Sequence, residues 1–378
     1  MIELHGFIIN ALPPNIRDMN EIIENPLNIQ PSWLVGTLRV SGFLDHEVIL
    51  DLEIQPIDDA IGFLSRIVRI LPRYSENNQS LPLSLILKIQ TDRPDFLGVA
   101  ERLKAFDRES GFYKHISSRI KGRLPKLYGS YSRGGKGWIL MEDLSNMKHG
   151  DQVSGLNHQQ IKATLSAISS VHAHSWQASE LYSYPWLPTD DFWFRVDLNP
   201  LWTNLKNSYG LRIGKEAVAL LDEFVMRQDE VFSRLQSRPR TLVHGDLRAD
   251  NLLIDNTDCN NPGIVIVDWQ TTTISSGAID VAFLILGSEP AAERCGQFKD
   301  LVACWHSNLV SLGVNDYSFS QAYDDVRLAS LACLSVPIKA FDEHCGPNFK
   351  NAREAQLAEC YIFRHIEASV ELNLSELL

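Results

Sequence analysis

Short runs of apolar residues predict several strands in the first third of the chain. The pattern predicts strands over 48–55, 66–70 and 83–90, and two more within 121–140 around the glycine-rich turn at 133–137. Apolar residues at helical spacing predict helices over 31–42 and 96–118. Residues 1–30 are expected to be irregular, because three prolines interrupt them.

The rest of the chain is predicted to be mainly helical. A strong helix is expected over 157–177, where Asn157 and Gln160 can form a capping box ahead of an apolar stripe. Further helices are expected from residue 277 onward. The stretch 241–270 is different, since it predicts strand, polar loop, strand, polar turn and strand in that order.

Composition narrows the class of protein. With 378 residues, of which 44% are hydrophobic and 22% charged, the chain can bury a large core and predicts two lobes. A net charge of -12 argues against a nucleic-acid partner, since binders of the phosphate backbone concentrate lysine and arginine. The start lacks the basic region of a signal peptide, and no later segment has the uninterrupted apolar length of a membrane span. We therefore expect a cytoplasmic protein without a membrane partner.

The six cysteines all lie in the last third of the chain and include no C-x-x-C pair. Neither a zinc site nor a disulfide framework is predicted from such spacing. We expect the thiols to be reduced and mostly buried.

The candidate chemistry lies in the stretch 241–270. His244-Gly245-Asp246 is followed at the fifth residue by Asn251, and Asp268 ends the next apolar run. Phosphoryl transfer needs one carboxylate to accept or orient a hydroxyl proton, then an amide oxygen and a second carboxylate to hold Mg²⁺ against ATP phosphates. The order and spacing match a kinase catalytic loop and metal-binding aspartate. Asp246 is therefore the candidate catalytic residue, and Asn251 and Asp268 are the candidate metal ligands.

The sequences HGDLRADN and DWQ stand where protein kinases have HRD and DFG motifs. In this form the chain resembles the kinase-like small-molecule phosphotransferases: aminoglycoside phosphotransferases, choline kinases and, most closely, the ecdysteroid kinase-like group with its bacterial relatives. The resemblance implies an α+β, bilobal, protein-kinase-like fold. A small antiparallel β-sheet lobe with a helix would occupy 1–143, and a larger, mainly helical lobe 144–378. Gln270 replaces the glycine of DFG, so no DFG-type flip is assumed.

Lys88 is the one charge in the apolar strand 83–90 and therefore requires anionic partners. In kinases such a lysine binds the α- and β-phosphates and is held by a helix glutamate. The resemblance, through the pattern Glu-x-x-Phe-Tyr, selects Glu109 for this role. Glu101 is the competing choice from the residues alone.

Other nucleotide contacts rest on the resemblance. The turn before the second strand carries only Gly62, which from the residues alone is typical of a plain hairpin. Family members often have glycine followed by serine there, which implies that Gly62 and Ser65 cover the phosphates. The segment from Glu142 to Leu144 resembles the lobe connector, whose backbone groups read adenine.

Several residues near the motif have open roles. His172 and His174 lie two apart on a helix and so do not share a face, which favours packing over a metal pair. Asp280 could cap its own helix, whereas the resemblance implies a hydrogen bond to the backbone of the catalytic loop. Arg248 could reach the γ-phosphate or brace the loop, and His244 is expected to order the loop.

These features predict an ATP- and Mg²⁺-dependent kinase that phosphorylates a hydroxyl of a small-molecule acceptor. The segment 181–202 is rich in tyrosine, phenylalanine and tryptophan, which could form core or an acceptor wall, and this favours a partly apolar natural product or metabolite. The alternatives are a catalytically silent nucleotide-binding pseudokinase, or a kinase of the aminoglycoside or choline type. A protein kinase is disfavoured because no Ala-Pro-Glu segment follows Asp268.

Overall fold

The computed structural model describes residues 21–57, 64–76, 81–189, 196–288, 296–343 and 352–378. The described residues form two compact units of mixed α and β structure. The first comprises residues up to Ser118, Leu124–Ser145 and Asp268–Thr271, and the second comprises Arg119–Arg123, Asn146–Val267 and Thr272–Leu378. The division predicted from the sequence, after residue 143, does not include the return of Asp268–Thr271 to the first unit.

The first unit is built on an antiparallel sheet of five strands in the order β1-β2-β3-β5-β4. The strands are β1 (Ile49–Pro56), β2 (Ser65–Tyr74), β3 (Leu85–Gln90), β4 (Leu127–Arg133) and β5 (Lys136–Glu142). All five predicted strands are present. The second one extends past its predicted end because its last residues stay paired with β1. Strand β3, which carries Lys88, lies at the centre of the sheet between β2 and β5.

Helix α1 (Pro31–Val40) confirms the first predicted helix and covers part of this sheet's core. Trp33 on α1 meets Trp138 on β5 edge to face, with ring centroids 4.9 Å apart. The close approach also requires a glycine, because a Cβ at Gly129 would lie 2.6 Å from Thr37. Aromatic pairs of this geometry stabilise the core beyond the effect of the apolar area that they bury.

The single helix predicted over 96–118 is wrong, because the chain forms two. Helix α2 (Pro94–Leu103) ends at Lys104, which adopts a left-handed conformation with φ 52°, and α3 (Ala105–His115) follows at once. The turn between β4 and β5 packs against this junction, where the N–H of Gly135 donates to Asp107 at 2.6 Å. A tertiary contact therefore breaks a helix whose periodicity continues across the break.

The second unit is mainly helical, as predicted. Its helices are α4 (His158–His174), α5 (Leu198–Ile213), α6 (Lys215–Met226), α7 (Gln228–Gln236), α8 (Ala278–Ser288), α9 (Phe298–Ser311), α10 (Phe319–Ala332), α11 (Ser335–Glu343) and α12 (Ala352–Glu371). The capping box of Asn157 and Gln160 at the start of α4 is present. Every residue of α8 is buried, so this helix forms the centre of the unit. Among the described residues, no helix combines the length and apolarity needed to cross a membrane.

Short strands in the second unit flank the loop that carries His244, Asp246 and Asn251. They are β6 (Lys148–His149), β7 (Thr241–Val243), β8 (Leu252–Asp255), β9 (Gly263–Ile266) and β10 (Thr273–Ser275). β7 pairs with β10, and β8 lies between β6 and β9. The predicted order of strand, loop, strand, turn and strand over 241–270 is confirmed, and residues 244–251 form the loop between β7 and β8.

Candidate active site

Lys88 lies between two carboxylates in the first unit. Its Nζ is 2.7 Å from Oε2 of Glu109 on α3 and 2.8 Å from Oδ1 of Asp268. The side chains of Lys88 and Glu109 are only 6% and 1% exposed, whereas that of Asp268 is 30% exposed. Glu101 pairs with Lys136 instead. The anionic partner that a buried lysine requires is therefore Glu109, as expected, together with Asp268.

Burial and charge act in opposite directions on these groups. Burial raises the pKa of Glu109 to about 7, although the adjacent ammonium of Lys88 opposes this. Burial also acts to lower the pKa of Lys88, but the charges of Asp268 and Glu109 outweigh it and raise that pKa. Lys88 thus stays cationic in an apolar strand.

The segment after Asp268 is anchored to the helix that carries Glu109. Trp269 is fully buried and stacks on Phe112, with ring centroids 3.7 Å apart and planes 9° apart. Its backbone N–H donates to the carboxylate of Glu109. Asp268 itself has φ 67°, a left-handed conformation that short polar residues tolerate best. This stacking was not predicted from the sequence, although Phe112 follows Glu109 by three residues and so lies on the same helix face.

In the second unit, Asn251 holds Asp246. The Nδ2 group of Asn251 donates to the backbone carbonyl of Asp246 at 2.8 Å and to its Oδ2 at 2.9 Å. The carbonyl of Asn251 accepts from Val267, the residue before Asp268, at 3.0 Å. Asn251 is the fifth residue after Asp246, and the short 3₁₀ turn of Ala249–Asn251 brings their side chains together.

His244 is fully buried and orders the loop, as expected. Its Nδ1 accepts the backbone N–H of Asp246 at 3.2 Å, and its Nε2 lies 3.0 Å from the carbonyl of Val267. These partners require the proton on Nε2, because Nδ1 acts as an acceptor. His244 therefore links both ends of the motif as a neutral imidazole.

Asp280 on α8 fastens the same loop from the other side. Its two oxygens accept the backbone N–H groups of His244 at 2.7 Å and Gly245 at 2.9 Å. His172 lies 3.1 Å from the same carboxylate through Nε2, while its Nδ1 accepts from Trp305 at 3.1 Å. The loop contact implied by the resemblance is confirmed, and His172 is a packed residue whose tautomer Trp305 sets. Because His172 and Trp305 are far apart in the chain, no local sequence pattern predicts this contact.

We expect replacement of Asp280 with asparagine to lower the free energy of unfolding by about 2 kcal/mol, the scale of buried hydrogen bonds to a charged group. The amide would present an N–H group to a site where backbone N–H groups already donate. Urea denaturation followed by circular dichroism measures the change. Asp324→Asn, on the exposed side of α10, is the charge-matched control and should be nearly neutral. Equal stability of the two variants would contradict this role for Asp280.

The other predicted nucleotide contacts are placed as follows. Ser65 begins β2, is 7% exposed and pairs with Gln90 of β3. Glu142 ends β5 and accepts the N–H of Lys126 at 3.1 Å through its carboxylate, and Leu144 is buried. Gly62 lies outside the described residues. The roles of these residues toward a nucleotide stay predictions.

The aromatic segment divides into core and surface. Trp202 is 5% exposed and donates through Nε1 to Asp222 at 2.8 Å, so it packs α5 against α6. Tyr182 is 56% exposed, and Trp186 is half-buried beside Tyr184. Residues 190–195 lie outside the described residues. Trp202 therefore belongs to the core, and Tyr182 and Trp186 stay candidates for acceptor contact.

Comparisons with known proteins agree with the motif. The model of the ecdysteroid kinase-like family matches residues 60–314, well over half of the chain. Among solved structures, the microcompartment-associated aminopropanol kinase has a TM-score of 0.51 and 14% identity, over 87% of this chain and 94% of that one. A Ralstonia eutropha protein described as a candidate aminoglycoside phosphotransferase has a TM-score of 0.51 and 12% identity, over 90% of this chain and 97% of that one. Plasmodium vivax ethanolamine kinase has a TM-score of 0.50 and 12% identity, over 95% of this chain and 94% of that one.

At these identities the structural likeness shows the fold alone, and it confirms the predicted kinase-like fold class. No curated protein matches the sequence significantly.

Proposed function

This chain belongs to the ecdysteroid kinase-like family, and we propose that it transfers the terminal phosphoryl group of ATP to a hydroxyl of a small molecule. The observation that carries the proposal is the buried ammonium of Lys88 between Glu109 and Asp268. A buried cation with two carboxylate partners is costly to fold, and phosphate binding by kinases is a function that requires it.

Each group then has a task that its surroundings support. Lys88, oriented by Glu109, neutralises charge on the phosphates. Asp246 accepts the proton of the acceptor hydroxyl, and Asn251 and His244 fix its orientation through the hydrogen bonds described above. Phosphoryl transfer needs little covalent help, so positioning and charge stabilisation account for most of the catalysis.

Asn251 and Asp268 fit a magnesium ion by their chemistry. Nδ2 of Asn251 is bound to Asp246, which directs the amide so that Oδ1 accepts no hydrogen bond within the described part of the chain. Amide and carboxylate oxygens are the hard ligands that Mg²⁺ prefers. When bound, the ion supplies neutralisation of the developing phosphate charge.

The nucleotide is proposed to be ATP, with the phosphates covered by Gly62 and Ser65 and adenine read by the backbone from Glu142 to Leu144. The acceptor is proposed to be a partly apolar natural product or metabolite, on the support of exposed Tyr182 and half-buried Trp186. Lys88, Asp246, Asn251 and Asp268 are all present, which argues against a silent pseudokinase.

Steady-state turnover of MgATP against a panel of alcohols, amino alcohols, aminoglycosides, macrolides and sterols tests the proposal. We expect acceptor-dependent release of ADP and an acceptor product heavier by one phosphoryl group. Macrolides or sterols should be better acceptors than aminoglycosides if the aromatic residues line the acceptor site. Transfer of the phosphoryl group to added proteins but to no small molecule would overturn the proposal.

A further inference from the structure

Arg248 lies between two carboxylates of the loop at residues 244–251. Its Nε is 3.2 Å from Oδ2 of Asp246, and its NH1 group forms an ion pair with Asp250. The side chains of Arg248 and Asp250 are 11% and 1% exposed, whereas that of Asp246 is 25% exposed. The guanidinium therefore joins the candidate catalytic carboxylate to one that is buried behind it.

Asp250 is held firmly from the side away from Arg248. Its Oδ1 accepts the backbone N–H of Gln152 at 2.8 Å, and Arg353 on α12 approaches the same oxygen at 3.6 Å. Gln152 is 1% exposed, and its Oε1 accepts the N–H of Ala249 at 2.9 Å. The backbone carbonyl of Gln152 in turn accepts from Arg364 of α12 at 2.6 Å. The position of Asp250 is thus fixed by several neighbours from different elements.

Helix α12 also places the phenol of Tyr361 near the guanidinium, whose charge acts on the pKa of that phenol against the effect of burial. Arg248 therefore has two carboxylate partners, which use donors of its fork in fixed directions. Movement of Arg248 toward a phosphate would leave the buried carboxylate of Asp250 without its closest cation, which is strongly unfavourable.

The constraint reaches Asp246 through one oxygen. Oδ2 of Asp246 receives both Nε of Arg248 and Nδ2 of Asn251, at 3.2 and 2.9 Å. Two donors on one carboxylate oxygen limit rotation of the carboxylate plane. A small misplacement of a reacting group is expected to cost a large factor in rate, so this restraint matters for proton transfer.

We propose that Arg248 is a positioning residue that orients Asp246, held in place by Asp250, and that it does not bind the transferred phosphate. The inference rests on the proposed function, since it assigns Asp246 the role of proton acceptor. Helix α12, through Arg353 and Arg364, then helps to orient the loop at residues 244–251.

Kinetics of Arg248→Lys and Asp250→Asn test the inference. Lysine keeps the charge but loses the fork, so kcat is expected to fall roughly 10-fold to 100-fold while the KM for MgATP stays within about twofold. Asp250→Asn removes the rear partner and should lower kcat in the same way. Because both changes break one unit, the double variant should be no slower than Arg248→Lys alone.

Matched controls separate this effect from general damage. Glu359 lies on the same helix α12 and forms a surface ion pair with Arg212 of α5. Glu359→Gln removes this pair and should leave kcat unchanged. If Asp250→Asn does not fold, Tyr361→Phe removes a single hydroxyl and should give a smaller fall in kcat with the same KM.

Two failures are distinguishable. An active wild type whose Arg248→Lys variant shows raised KM for MgATP with unchanged kcat, or whose Asp250→Asn variant is unaffected, would overturn the inference alone. A folded wild type that transfers no phosphoryl group to any acceptor would overturn the proposed function and this inference with it.

Discussion

Asparagine in place of Asp246 is expected to lower kcat by ~10²-fold or more, the scale of losing a positioned general base. The amide keeps the shape of the side chain but cannot take the proton of the acceptor hydroxyl. The KM for MgATP should change little, because the role proposed for Asp246 is toward the acceptor hydroxyl. Steady-state kinetics with a saturating acceptor measure both constants.

The control for this variant is Asp258→Asn in the exposed turn between β8 and β9, which should match the wild type. Thermal unfolding verifies that Asp246→Asn is folded. A folded Asp246→Asn variant with kcat within a few-fold of the wild type would show that Asp246 is not the proton acceptor.

Replacement of Asp268 with asparagine is expected to lower kcat still further, by about 10³-fold, because in its proposed role as a metal ligand the carboxylate contributes several kcal/mol of charge stabilisation. The same change removes one of the two carboxylates beside Lys88. The concentration of Mg²⁺ needed for half-maximal rate should therefore rise together with the loss of rate. A Mg²⁺ titration of ATP turnover at fixed free ATP measures this.

Asp92→Asn is the matched control in the first unit, since the side chain of Asp92 is 64% exposed and forms a surface ion pair with Arg66. It should leave the Mg²⁺ dependence unchanged. An Asp268→Asn variant with the wild-type Mg²⁺ dependence would contradict the assignment of Asp268 as a metal ligand.

Sequence patterns identified the parts of the fold whose signals are local. Lys88 could be predicted to need anions because it interrupts an apolar strand, and its contact with Glu109 is present as expected. The capping box of Asn157 and Gln160 likewise needs only residues three apart. In such cases the pattern and the structure depend on the same few neighbours.

Contacts between distant elements could not be predicted in this way. The break at Lys104 packs against the turn at Gly135, which is distant in sequence, so the periodicity of 96–118 does not predict it. Trp305 lies 133 residues from the imidazole of His172 that it holds. For the same reason the role of Arg248 stayed open in the sequence, since its partner Asp250 is held by Gln152 and by Arg353 of α12.

Transfer of labelled phosphoryl from γ-labelled ATP into a small-metabolite extract, analysed by mass spectrometry for the wild type and Asp246→Asn, tests the central claim most directly. We expect at least one small molecule to gain one labelled phosphoryl group with the wild type and to lose nearly all of that gain with Asp246→Asn. Mg²⁺-ATP bound by both proteins, with label in no small molecule or with equal label from both, would contradict it.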